Sequence, residues 1–225
     1  KWWLGNYRAG GFTHGMTHGV MARGGRHGDE GLDIGRKTMK PITDFLDEAG
    51  DTPFLIWYAP FLPHRPHNPP ARLLKKYRGT TDSIHVARYR ANCEWFDETC
   101  GALLAELEKR ELTENTMVLY ICDNGWIQKR AGSGYAPRSK RTPYEGGIRT
   151  PVMVTWPGRV KPGRDETTLV SSIDLAPTVL KACGLEPTPQ MPGIDLRDTK
   201  ALSRRSAVFG SAFTNDAVDI ERPIT

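Results

Sequence analysis

Val86, Tyr89, Cys93, Phe96, Cys100, Leu103, Leu104 and Leu107 recur at intervals of three and four along the chain. That spacing lines one face of an α-helix and predicts a long amphipathic one through this stretch. A shorter helix is predicted over residues 41–49. Pro41 suits a first helical position, Ile42, Phe45, Leu46 and Ala49 follow one helical face, and Gly50 stops it. A third is predicted over 171–183, with Ser171 as cap, Asp174 in the first turn and Gly184 at the end. Continuous apolar runs at 53–59, 117–122 and 151–156 read instead as strands buried on both faces.

Buried strands alternating with amphipathic helices indicate an α/β fold with a largely parallel sheet. In such folds ligands bind beyond the carboxyl ends of the strands, and the suggestive polar residues lie there. The first 35 residues are too rich in glycine for a long regular element, and read as an ordered loop region near a site or as a flexible linker. After about residue 187 the chain turns proline-rich and charged. The expected division is residues 1–195 in the main domain and 196–225 opening a small further subdomain.

Composition narrows the classes without choosing among them. The 225 residues are 38% hydrophobic and 25% charged, ordinary globular usage. A net charge of +5 favours an anionic partner, but no run of Lys and Arg interleaved with aromatics points to nucleic acid. No apolar stretch is long enough to span a membrane. Cys93 and Cys100 lie seven apart on the predicted helix, about 10 Å along its axis and too far for a disulfide. The four cysteines show no C-x-x-C spacing and are expected in the core.

Three segments could carry chemistry. Asp123-Asn124-Gly125 places two oxygen-bearing side chains where a strand ends, suited to a hard cation and equally to an ordinary turn. Residues 139–151 gather several cations and the pair Gly146-Gly147 before a strand; Lys140 would offer a compact positive charge to an oxyanion, or simply face solvent. His64 and His67 sit in a loop stiffened by Pro63, Pro66, Pro69 and Pro70. A histidine held there could protonate a leaving group, or be structural.

Taken in order, these segments resemble the sulfatase family. Lys1-Trp2-Trp3-Leu4-Gly5 is similar to its G-K-W-H-L-G, Pro63-His64-Arg65-Pro66 to P-H-x-P, and Cys122-Asp123-Asn124-Gly125 to S-D-N-G. Lys140 through Pro151 is similar to K-x-x-x-Y-E-G-G-x-R-x-P, and Asp174-Leu175-Ala176-Pro177-Thr178 to D-L-A-P-T. The resemblance implies an alkaline-phosphatase-like α/β/α sandwich and calcium-dependent hydrolysis of a sulfate ester. By it, Asp123 and Asn124 are metal ligands, Lys1 and Lys140 grip the sulfate, and His64 binds sulfate and assists departure of the alcohol. It also implies a formylglycine nucleophile, made from Cys or Ser in C/S-x-P-S-R. That motif is not in this sequence, so the 225 residues alone are expected to be inactive. A sulfated small molecule or glycan is the implied partner, and the periplasm or exterior the implied compartment.

Trp3 stands where the family usually has histidine; His67 is a candidate to replace it, and Trp3 and Trp126 are candidates to stack on a sugar or aryl ring. Two other readings stay open: a phosphodiesterase or phosphonate hydrolase of the same superfamily, and a catalytically inactive relative that binds sulfated glycans.

Overall fold

In the computed structural model, residues 6–18 and 33–210 are described. They group into two compact units, one within Lys1–Arg110 and Gln128–Tyr135, the other within Glu111–Ile127 and Ala136–Thr225.

The first unit is helical. Helix α1, Lys40–Ala49, carries proline in its first turn and ends at Gly50, as its sequence predicts. Helix α2, Ala71–Arg78, follows the proline-rich loop directly and was not anticipated; its positive charge and short length hide its periodicity. Helix α3, Ile84–Lys109, is the long helix predicted, started by the Ser83 side chain accepting from the Val86 backbone N–H. Helices α2 and α3 pack together. Leu73, Ala87 and Ala91 are buried, and Arg72 with Glu98 and Lys76 with Glu94 close the exposed edge at 2.5 and 2.7 Å.

The run at 53–59 is not a strand buried on both faces. Leu55 and Trp57 are 61% and 60% exposed while their neighbours are partly covered. A strand exists only with a hydrogen-bonded partner, and among the described residues none pairs with this run. Gly35 packs against it at φ 73°, where an added Cβ would lie 2.5 Å from the Tyr58 hydroxyl. That hydroxyl donates to Thr99 Oγ1 on α3 at 2.6 Å.

The second unit contains β1, Val118–Ile121, and β2, Val152–Thr155, which pair antiparallel with Val118 opposite Thr155 and Ile121 opposite Val152. They are the only sheet among the described residues. Both predicted strands are present, but partly rather than fully covered, and Met153 is 55% exposed. The short helix α4, Glu145–Ile148, lies between them in sequence.

The predicted helix at 171–183 forms as one 3-10 turn, Ser172–Asp174, leading into α5, Leu175–Ala182. Ser171 and Asp174 make the reciprocal capping box expected of them. Asp174 does more than cap. Fully buried, it accepts from the backbone N–H groups of Ser171 and Ile194 and holds Arg205 through two bonds of 2.6 and 2.7 Å. Arg205 follows α6, Thr199–Leu202, so one carboxylate joins three stretches of the unit. The four cysteines are all free; three are half-buried and Cys183 is exposed, so none is a fully buried core residue.

Candidate active site

Each unit carries part of the predicted chemistry. In the first, the loop between residues 60 and 70 holds His64 and His67, with cis peptide bonds preceding Pro63 and Pro66. Proline lacks an N–H, so this loop cannot tie itself down through its own backbone. Two side chains do it instead. The Arg36 guanidinium donates to the carbonyl oxygens of His64 at 2.9 Å and Pro66 at 3.2 Å, and to Asn68 Oδ1 at 2.5 Å. From below, the fully buried Asn92 of α3 donates to the carbonyls of Pro63 and Pro66 at 3.4 and 3.3 Å.

His64 is further fixed by its own ring. Nδ1 lies 2.9 Å from the Arg65 carbonyl oxygen. A carbonyl only accepts, so Nδ1 carries a hydrogen and is committed to this contact. Phe61 meets the ring edge-on at 5.4 Å between centroids. His67 sits differently, beside Tyr89 of α3 at 5.5 Å. Burial, reinforced by the charges of Arg65, His64, Arg36 and His85, pulls its imidazole down to about 4. At neutral pH His67 is therefore an uncharged hydrogen-bonding group and His64 its companion on the same cleft.

In the second unit the Asp-Asn-Gly turn at the end of β1 and the Glu-Gly-Gly turn of α4 meet backbone to backbone. The Gly125 N–H donates to the Gly147 carbonyl at 2.8 Å. A Cβ on Gly125 would fall 2.3 Å from the Gly146 oxygen, and one on Gly147 2.4 Å from the Ser139 and Thr142 oxygens. These contacts leave no room for any residue but glycine, which is why Gly125 and Gly147 accompany the polar residues beside them. Ser139, fully buried, accepts the Ile127 N–H at 2.6 Å. The segment bearing Lys140 is thereby fastened to the one bearing Asp123 and Asn124, and Lys140 Nζ stands over the Trp126 ring at 5.6 Å. Trp126 thus carries an ammonium on one face, a task its sequence position does not announce.

Asp123 is exposed. The Asn124 amide nitrogen donates to the Gly125 carbonyl at 2.9 Å, which commits its N–H side to the turn. By donor type this pair fits a hard divalent cation. It supplies part of a shell of about six or more oxygens, and no cluster of three or more His, Cys, Asp or Glu side chains is gathered among the described residues. Lys1 and Trp3, the remaining predicted site residues, lie outside the described residues.

A family model described as Sulfatase matches residues 11–185, more than half of the chain. The chain belongs to the sulfatase family. Among sulfatases, the steryl-sulfatase of Rattus norvegicus is 34% identical over 171 residues, covering 71% of this chain and 28% of that protein. A sulfatase of Formosa agariphila is 31% identical, covering 76% and 35%. The chain therefore spans about a third of the length of these relatives. Among solved structures, the PsFucS1 sulfatase from Pseudoalteromonas sp. aligns with a TM-score of 0.54 at 27% identity, covering 68% of this chain and 30% of that one. Ps i-CgsB, solved with a neocarrahexaose, aligns with a TM-score of 0.60 at 23% identity, covering 75% and 37%, a likeness of fold.

Three residues that position or flank the site escape a reading by motif: Arg36, Asn92 and Ser139. Asn92 had a signal, a polar residue set against the apolar stripe of α3. Arg36, in a glycine-rich stretch, had none.

Proposed function

We propose that this chain is the part of a sulfatase that receives the sulfate ester and supplies the acid for its leaving group. The observation that carries the reading is the fixed His64. Its Nδ1 is committed to the Arg65 carbonyl, so a protonated Nε2 can only be a donor, and a donor at a scissile oxygen serves as general acid. Lys140, fastened through Ser139 beside the Asp-Asn pair, offers charge to the peripheral sulfate oxygens, and Lys1 has the same role by motif. Asp123 and Asn124 are the residues that would hold Ca²⁺, which when bound neutralises charge accumulating on those oxygens. The nucleophile of this family, a formylglycine, has no C/S-x-P-S-R motif among the 225 residues to supply it.

As the alcohol departs, negative charge grows on its oxygen. His64 delivers its proton there, and Arg36 and Asn92 keep the imidazole from following the departing group. Sulfated glycans or aryl sulfates are the substrate class, and an exported protein is the setting that fits such substrates. No helix among the described residues is long and apolar enough to cross a membrane.

The test is hydrolysis by the full-length protein of 4-nitrophenyl sulfate, 4-nitrophenyl phosphate and bis-4-nitrophenyl phosphate, with and without EDTA. Sulfate release that EDTA abolishes and calcium restores is expected. Preferential cleavage of either phosphate would move the protein to the phosphoryl hydrolases of the superfamily, and binding of sulfated sugars without release would make it an inactive relative.

A further inference from the structure

Beside His64 the first unit opens a cleft of about 610 Å³, floored by the loop from His64 to His67 and walled by His85, Arg88 and Ser133. That volume is in the range of small-molecule sites and much larger than one sulfate group needs. Among the described residues no carboxylate lines it. Arg65 and Arg88 are exposed cations on its rim. Arg36, behind the loop, is held by carbonyl oxygens, an amide and the ring of Trp95 at 5.4 Å, none of which cancels its charge. The nearby carboxylates are engaged elsewhere: Asp82 by Arg130, Glu94 by Lys76 and Glu98 by Arg72.

The walls are also fixed in place. His85 and Arg88 stand one turn apart at the start of the 26-residue helix α3, capped by Ser83, where the helix dipole adds positive potential. Ser133 tips a hairpin closed by the bridge between Gln128 and Tyr135. The Gln128 amide braces that hairpin from within, donating to the carbonyls of Lys129, Gly132 and Gly134. Outside, the Ser83 hydroxyl donates to the Arg130 carbonyl and Arg130 pairs with Asp82. A cationic wall with no carboxylate of its own is a wall for anions.

We infer that His85 and Arg88 form a subsite for a second anionic group on the substrate, so that the preferred ligand is a sulfated carbohydrate carrying a further sulfate or carboxylate on the same or the adjoining sugar. The inference rests on the reading of His64 as the residue that meets the scissile sulfate. A neutral aryl or sterol sulfate would leave this wall unused.

The experiment is calorimetric titration of the full-length protein with three disaccharides: one with two sulfates, one with one sulfate and a uronate, and one with a single sulfate and no other charge. Wild type should bind the first two more tightly than the third. Arg88→Ala and His85→Ala should each cut that advantage by about 10-fold or more, the scale of a charge-assisted hydrogen bond. Arg88→Glu should abolish it. Lys75→Ala, an exposed cation of α2 outside the cleft, controls for general attraction and should leave the advantage intact. Loss of preference only with the disulfated ligand would assign the subsite to sulfate, and only with the uronate ligand to carboxylate. Equal binding of all three by wild type, or an advantage undiminished in Arg88→Glu, overturns the inference even if sulfate is released normally. Preference without any sulfate release would keep the subsite and remove the hydrolase reading instead.

Discussion

Arg36 donates to the backbone carbonyl of His64 at 2.9 Å across 28 residues of sequence. A charged side chain thus holds the main chain of the catalytic candidate rather than its imidazole. Arg36→Ala should loosen the loop and lower kcat about 100-fold, the cost of misplacing a reacting group by about an ångström. The effect should be large on sugar sulfates and small on 4-nitrophenyl sulfate, whose leaving group hardly needs an acid. Equal losses on both substrates would mean that Arg36 serves folding alone.

His64→Ala should follow the same pattern more strongly. Removing a general acid costs about 100- to 10,000-fold, again concentrated on poor leaving groups, as steady-state rates across a series of aryl sulfates of rising leaving-group pKa would reveal. A flat series would deny His64 the acid's role.

The glycine contact between the two turns predicts a coupled loss. Gly125→Ala places a methyl group against the Gly146 carbonyl and should cost about 1–3 kcal/mol of stability as an overpacked site. Because the same contact sets Asp123 and Asn124 beside the Lys140 segment, calcium affinity should fall as well. Differential scanning calorimetry and calcium titration of the variant check the two effects separately.

His67 predicts an acid limb. Its imidazole titrates near 4 in the fold and near 6.5 when unfolded. Between those values the unfolded chain binds more protons, so stability falls as pH drops through 6.5 toward 4. His67→Gln should flatten that part of the curve, measured by denaturant midpoints at a series of pH values. An unchanged acid limb would show that other groups govern it.

The buried pair of Asp174 and Arg205 predicts the largest loss of stability. Burial by itself would raise the Asp174 carboxyl, but Arg205 and the N–H groups of Ile194 and Ser171 hold it below its ordinary range. Arg205→Met strands that carboxylate and should cost about 3–5 kcal/mol. Double substitution with Asp174→Leu should recover part of it, and additive losses would contradict the pairing.

The three predicted helices were legible from local signals: a long periodic apolar face in α3, Pro41 and Gly50 bounding α1, and Ser171 with Asp174 at the start and Gly184 at the end of the 171–183 stretch. Helix α2 was not, since a short positively charged segment shows little such periodicity. The run at 53–59 misled because apolar content signals burial only when neighbours exist to cover it; Leu55 and Trp57 face outward. Motif order was legible too: it pointed to the sulfatase family, whose model matches residues 11–185, and nominated His64, Asp123, Asn124 and Lys140 as candidates.

By itself, then, the sequence determined the family, the principal helices and the chemical kinds of residue at the site, because these depend on local spacing and side-chain type. Only the tertiary structure decided why Gly125 and Gly147 admit no side chain, and that Arg36 and Asn92 hold the loop while Arg88 lines the cleft above it. Those facts depend on groups far apart in the chain coming within 2 to 4 Å of one another, a condition that no spacing along a single stretch of sequence records.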